Sequence, residues 1–441
     1  MNVLPTKKPD EKYPNILLVV MDATRAKNFS LYGHNRPTTP NIERFAERCV
    51  VYDKAISAGC WSLPGHASIF TGLHPATHKA NDQTQYLVPE HPTMAEVLRT
   101  FGYQTIALCH KRDVGPITGL DRGFDKFNPL SSTNTLKRLN RRKDNAIARM
   151  MGTRDKGAVY TNQKIYKLLP QLQAEGRPFF MFVSYLESHI PYRPPKKFNR
   201  YLPDGISPSQ VSQVNQDRWK YMVGEAEMSE QDFDILAALY DGAITYGDSR
   251  INEMLTWLDQ QGMLDDMMII ITADHGENLG EHQLMAHGYC LYDTVIHVPL
   301  IIHYPDSLVT PGRVEHQVQT VDLLPTILTM LGDTSSELFR SMQGYDLLSS
   351  TRREFTIAEQ AHPDLSQFNE RFPEADVSKY DRALKMIRTD NYKYIWASDG
   401  NQELYDLQAD PDELSNIIKD HQNIADDLKS RLKDWQESVG A

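Results

Sequence analysis

This sequence predicts an α/β fold: a mostly parallel central sheet flanked by helices, followed by a small antiparallel sheet with a helix packed on it. Three observations predict it. Continuous apolar runs rich in β-branched residues alternate with segments of helical periodicity. Two of those runs pass straight into an aspartate, at Asp22 and at Asp274. After about Leu348 the texture changes to short strand-like pieces that end in one amphipathic helix. A chain of 441 residues is too long for one simple core, and the change of texture divides it into a large unit over 1–350 and a small one over 351–441.

The elements follow in order. Asn15 to Met21 reads as a strand buried on both faces, because its apolar run is unbroken. Thr39-Pro40 starts a helix, with Thr as N-cap and Pro in the first turn; it runs through Ile42, Phe45 and Ala46 to about Cys49. Val50 to Ile56 is a strand. Ser62-Leu63-Pro64-Gly65 reads as a turn, with a helix from His66 to Thr71. Gln104–Cys109 and Pro178–Tyr185 are strands, and Tyr160–Ala174 is a helix between them. Phe233, Leu236, Tyr240, Ala243, Gly247, Ile251, Met254 and Leu258 fall three or four apart, which makes one continuous face of a long helix. Met267–Thr272 and Val298–His303 are further strands. In the small unit, strands are expected at Phe355–Ala358, Leu384–Arg388, Tyr392–Trp396 and Glu403–Tyr405. A last helix there carries Ile424, Leu428, Leu432 and Trp435. No internal repeat is visible.

Composition excludes several classes of function. Hydrophobic residues make up 40% and charged residues 24%, a globular mixture. The net charge of -11 opposes general binding to nucleic acid, whose phosphates it would repel. The run Ile16-Leu17-Leu18-Val19-Val20-Met21 is too short to cross a bilayer or to form a signal-peptide core. No membrane association is therefore expected, and a cytoplasmic location is. The four cysteines, Cys49, Cys60, Cys109 and Cys290, are scattered without a CxxC pair, so free buried thiols are expected rather than bridges or a zinc site. Lys137, Arg138, Arg141, Arg142 and Lys143 make a basic stretch within 131–160. It reads either as a solvated face or as a lid over an anionic substrate.

Four segments could carry chemistry. Thr272-Ala273-Asp274-His275-Gly276-Glu277 sets a carboxylate beside an imidazole at a strand end, a ready pair of metal ligands. Asp22 also closes a strand, where it could equally cap the next helix. Ser62 precedes a helix whose N-terminus favours negative charge. His189, His282 and His287 follow strands that should end at one face of the sheet, where ligands gather in such folds.

Taken together and in this order, these segments resemble the sulfatase family within the alkaline phosphatase superfamily. Asn15 to Asp22 resembles the family's opening strand and first metal aspartate. Thr39-Pro40-Asn41-Ile42-Glu43-Arg44-Phe45-Ala46 is similar to its TPNIDRLA helix. Ser62-Leu63-Pro64-Gly65-His66 with Thr71-Gly72 resembles the C/S-x-P-S-R signature and its trailing Thr-Gly. Asp274-His275-Gly276-Glu277 looks like the second metal motif. Val321-Asp322-Leu323-Leu324-Pro325-Thr326 and Glu403-Leu404-Tyr405-Asp406-Leu407 with Asp410-Pro411 look like later landmarks. The departures from the pattern that bear on the chemistry are these. Ser62 stands where most members carry the cysteine that becomes formylglycine, and Cys60 is two residues too early to replace it. His66 occupies the signature's arginine, Ala23 an expected second acid, and His287 an expected lysine.

The resemblance implies an alkaline-phosphatase-like sheet and one divalent metal ion, calcium, manganese, magnesium or zinc, held by Asp22, Asp274 and His275 with Ser62 completing the shell. It implies Ser62 as nucleophile toward a small anionic ester. His66 and His287 would bind the ester's non-bridging oxygens, and His189 or His287 would protonate the leaving oxygen. Three readings stay open. One is sulfate-ester hydrolysis, with Ser62 plain or converted to formylglycine, although His66 in the arginine position counts against conversion. The second is hydrolysis of a phosphomonoester, phosphodiester or phosphonate ester by unmodified Ser62. The third is a non-catalytic anion-binding protein. A homo-oligomer stays open as well.

Overall fold

The structure, a computed structural model, describes residues 13–129, 155–305 and 308–440. The basic cluster at 137–143 lies outside the described residues. The central sheet uses β1 (Asn15–Met21), β2 (Val50–Ile56), β3 (Gln104–Cys109), β4 (Lys126–Pro129), β5 (Phe179–Tyr185) and β6 (Met267–Thr272). After a short hairpin of β7 (Asn278–Leu279) and β8 (Met285–Ala286), it is completed by β9 (His297–His303) and β10 (Gly312–Gln319). Their order is β10-β2-β9-β6-β1-β5-β3-β4. β9 runs antiparallel to β2 and β6, and every other pairing is parallel.

The unbroken apolar runs have a direct cause, since both faces of the sheet are covered. Leu17, Val19 and Met21 of β1 enter one core with Leu236, Tyr240, Ile251 and Met254 of the Glu230–Gln260 helix. Ile16, Leu18 and Val20 enter the other, with Leu63, Ala67 and Phe70. Each fully buried side chain of this size contributes roughly 1.5–3 kcal/mol. The long helix starts at a capping box in which Ser229 and Asp232 satisfy each other's backbone N–H. The helix expected from His66 begins four residues earlier, spanning Ser62–Thr71. Pro64 lies in its first turn, where a missing N–H costs nothing, so the proline marks the start of the helix and not a turn before it. β4 and β10 were not legible as apolar runs. Both are edge strands, and β10 exposes Gly312 and Arg313.

Beyond Thr356 the chain forms an antiparallel sheet of β11 (Thr356–Gln360), β12 (Leu384–Arg388), β13 (Tyr392–Ala397) and β14 (Gln402–Asp406). One face holds the Gln422–Val439 helix through Ala425, Leu428 and Leu432. The other packs Ala358, Met386 and Ile395 on Ile56, Val295 and Ile296 of the large sheet's side. All four cysteines are free and buried. No described helix is long and apolar enough to cross a membrane.

A buried charge cluster fixes the small sheet to the large one. Lys393 is fully buried, with its Nζ 2.5 Å from Asp293 Oδ1 and 2.6 Å from Glu413 Oε1. Arg388 reaches the other Asp293 oxygen at 3.2 Å. Lys393→Ala strands Glu413 without its cation in a dry site, and removing one partner of such a cluster costs about 3–5 kcal/mol. Urea unfolding should show that loss. Lys27→Ala, which breaks the half-exposed Lys27–Asp412 pair, should cost under about 1 kcal/mol. Equal midpoints for the two variants would show that the cluster does not fix the small sheet.

Candidate active site

The parallel strands β1, β2, β3, β5 and β6 all deliver their carboxyl ends to one edge of the sheet. Asp22 follows β1 and Asp274 follows β6, its neighbour. Ser62 comes six residues after β2, Lys111 two after β3 and His189 four after β5. Local backbone then aims the side chains. Ala23 takes a left-handed conformation, φ 58°, which turns its N–H onto Asp274 Oδ1 at 3.2 Å. Two glycines allow close approach where a side chain would collide. A Cβ on Gly276 would lie 2.2 Å from Thr294 O, and one on Gly65 would lie 2.6 Å from Asp274 O. The second contact brings the start of the Ser62–Thr71 helix against the Asp274 turn. Ser57 Oγ donates to the same carbonyl at 2.5 Å.

The result is a tight group. Ligand atoms of Asp22, Asp274 and His275 all lie within 4.8 Å of one another, and all three residues are buried. His275 Nδ1 donates to Gly276 O at 2.8 Å, so in the neutral ring Nε2 carries the lone pair. That lone pair faces Asp274 Oδ2 at 3.3 Å and Ser62 Oγ at 3.1 Å. Asp274 Oδ2 is fully buried, with His66 Nδ1 3.2 Å away. An imidazole lone pair and a carboxylate oxygen that face each other in a dry site repel unless a cation lies between them. Two carboxylates, one imidazole and a hydroxyl are a donor set that fits a divalent ion.

The expected histidines fall in different places. His287 lines the open cleft beside Ser62 and His189. Its ring is 4.3 Å from that of His275 and 5.0 Å from that of His189. Its Nδ1 donates to Glu277 Oε1 at 2.8 Å, which leaves Nε2 as the acceptor. Burial, with the charges of His275, Lys111 and Arg218, holds its pKa well below the ordinary range. His189 Nδ1 donates to Ile190 O at 2.7 Å, and burial with Lys111 lowers its pKa to about 3. His66 is a fully buried residue of the Ser62–Thr71 helix. Its Nδ1 meets Ser62 O at 2.8 Å and Asp274 Oδ2 at 3.2 Å, so it reaches Asp274 rather than the cleft. Burial lowers its pKa, but Asp274 outweighs burial and raises it overall. His282 stacks on Tyr292 at 3.7 Å and takes no part. Cys60 is turned away, its Sγ donating to Gln360 Oε1 at 3.2 Å, and burial pushes its thiol well above the ordinary range.

Three residues of the site escaped the sequence reading. Lys111 Nζ lies 3.0 and 2.9 Å from the two oxygens of Asp22. Burial and Asp274 push the Asp22 pKa up, but Lys111, His189 and His275 prevail and hold it below the ordinary carboxylate range. Its position just past a strand ending at this edge was the available signal. Lys156 donates to His189 O, and burial brings its pKa down to about 8. Glu277 was visible only as part of the Asp-His-Gly-Glu motif.

Residues 14–333 match the family model described as Sulfatase, and residues 280–438 match N-sulphoglucosamine sulphohydrolase, C-terminal. The chain belongs to the sulfatase family. It is, accordingly, a sulfuric or related phosphoric ester hydrolase of the alkaline phosphatase superfamily. A multifunctional alkaline phosphatase superfamily protein, PehA of Trinickia caryophylli, is 25% identical over 96% of this chain and 95% of its own. Choline-sulfatase of Rhizobium meliloti is 24% identical over 94% of this chain and 84% of its own. The crystal structure of a phosphonate monoester hydrolase of Agrobacterium radiobacter superposes with a TM-score of 0.77 at 21% identity, covering 97% and 96% of the two chains.

Among sulfatases the signature position filled here by Gly65 usually carries serine, yet no side chain fits between this helix and Asp274. Gly65→Ser should therefore push Ser62 away from His275. Because a displacement of about 1 Å can cost about a hundredfold in rate, turnover of an aryl ester should fall by at least about tenfold, with weaker metal binding by titration. Gly312→Ala, where a Cβ meets nothing within 4 Å, is the control. Kinetics matching that control would show that the close approach is not needed.

Proposed function

We propose that this sulfatase-family hydrolase cleaves a small anionic ester by attack of Ser62 Oγ on its central phosphorus or sulfur, at a metal site of Asp22, Asp274 and His275 with Ser62 as fourth ligand. The observation that carries the reading is Ser62 Oγ at 3.1 Å from His275 Nε2, the nitrogen that also faces the buried Asp274 Oδ2 at 3.3 Å. A divalent cation held there would lower the pKa of the serine hydroxyl and shield the ester's oxygens. Lys111 keeps Asp22 ionised and adds positive charge beside the ester. His66 positions Asp274 from below, a role different from direct contact with the ester's oxygens. His189 or His287, through its free Nε2, takes the proton released by Ser62 and passes it to the leaving oxygen. Glu277 holds His287 in the tautomer whose Nε2 then takes a proton from the water that clears Ser62.

That last step favours a phosphoric or phosphonic ester. An unmodified serine has one hydroxyl, so its covalent intermediate must be cleared by water, and the Glu277–His287 pair supplies a base for it. A formylglycine hydrate would carry a second hydroxyl that gives its proton to such a base and expels sulfate without attack by water; a plain serine lacks that exit, and water attack is slow on a crowded sulfur centre. The second reading is a sulfate ester, favoured by the family match over most of the chain and by the likeness to a choline-sulfatase. Peptide mass spectrometry of Ser62, with aryl phosphates, phosphonates and sulfates assayed across calcium, magnesium, manganese and zinc, separates the two. Plain serine with faster phosphorus-ester turnover is expected. Formylglycine with sulfate turnover would establish the second reading.

Ser62→Ala should lower turnover by about a thousandfold or more. Its stability cost should stay near about 1 kcal/mol, the value of one hydrogen bond, because Trp61 occupies the N-cap position. Activity within about tenfold of the parent, roughly 1.4 kcal/mol of barrier, would show that Ser62 is not the nucleophile.

A further inference from the structure

The cleft over Ser62 has a volume of about 2530 Å³, far more than a phosphate or sulfate group fills. One wall comes from two distant parts of the chain, around Arg218 and around Arg371. An apolar cluster that includes Met222, Phe368, Phe372 and Tyr380 joins them. The acids of this wall are already engaged. Asp217 pairs with Arg371 at 2.6 Å, and Asp364 accepts the Ser366 N–H at 2.9 Å.

Arg218 is different. Its Nη1 donates to the backbone carbonyl of His287 at 3.2 Å. The guanidinium lies 5.3 Å from the ring centre of Trp219 and 6.0 Å from that of Tyr289. No described carboxylate lies within the 4.0 Å of an ion pair. The cation is thus anchored on one side by a carbonyl and two rings, faces the cleft, and adjoins the histidine nearest the reacting ester. Its remaining N–H donors form the planar fork that suits an oxyanion.

We infer that the alcohol part of the substrate carries a second anionic group, a carboxylate or a further sulfate or phosphate, and that Arg218 binds it. This rests on the ester hydrolysis proposed above. Arg218 would then set leaving-group specificity, while Lys111 and the metal ligands serve the reacting ester. If Arg218 served the reacting ester itself, its loss would slow all esters alike.

The test compares a phenyl ester with its 3-carboxyphenyl counterpart, in the parent, in Arg218→Gln and in Arg218→Lys. The parent should prefer the carboxylated ester in kcat/KM. Arg218→Gln should cut that preference by about tenfold or more, the size expected for a charged hydrogen bond, and Arg218→Lys should retain part of it. An unchanged preference in Arg218→Gln, with both esters slowed equally, overturns the inference. If the parent turns over neither ester, the hydrolytic reading fails by itself. Calorimetric titration of the metal-loaded protein with 3-hydroxybenzoate then decides the inference separately: about tenfold weaker binding to Arg218→Gln supports it, and equal binding overturns it.

Discussion

Asp22 and Asp274 end adjacent parallel strands, so the sheet itself sets two carboxylates side by side in a fully buried place. Asp274 raises the pKa of Asp22, and burial raises both. Left alone, such a pair would take up a proton or move apart. The surrounding structure is arranged to prevent either. Lys111 arrives from the end of β3, His66 from the second turn of the Ser62–Thr71 helix, His275 from the next position in the chain, and the Ala23 N–H from a left-handed turn. These groups come from separate parts of the fold and meet around the two acids.

The same crowding explains the glycines and the serine. A helix that presents Ser62 to His275 must lie against the Asp274 backbone, and only glycine at position 65 leaves room. Gly276 does the same for the chain leaving the site, which passes against Thr294. The left-handed Ala23 is strained for a residue with a side chain. Its N–H to Asp274 and its carbonyl, which accepts the Tyr240 hydroxyl at 2.8 Å, hold it there. Geometry near the acids is therefore fixed by backbone contacts, and the open cleft beyond them is left to side chains such as Arg218 and Trp219. The buried acids and the open cleft are thus separated in space.

Much of the fold was legible because burial on both faces writes itself as unbroken apolar runs, as in β1, β5 and β6. The edge strands β4 and β10 were not, since an edge has fewer buried positions to mark. Asp22, Ser62, Asp274 and His275 were legible as motifs at strand ends, and the fold brings them into one group. His66 was legible as a position but not in its direction. One turn of helix decides whether it faces ester or acid, and starting the helix at Ser62 turned it onto Asp274. Lys111 stood in plain view without a motif.

The sequence by itself determined the layer architecture, the strand ends where chemistry gathers, and the order of acid, serine and acid-histidine along the chain. These depend on local periodicity and on residue types at fixed spacing. Only the tertiary structure decided which cations offset the acids, which nitrogen of each histidine is free, and that Arg218 lines the cleft without a carboxylate partner among the described residues. Those facts are set by contacts between residues far apart in the chain. The Lys111–Asp22 pair spans 89 positions and the Arg218–His287 contact 69. No local pattern encodes the distance between two side chains that only the closed sheet and its packed loops bring together.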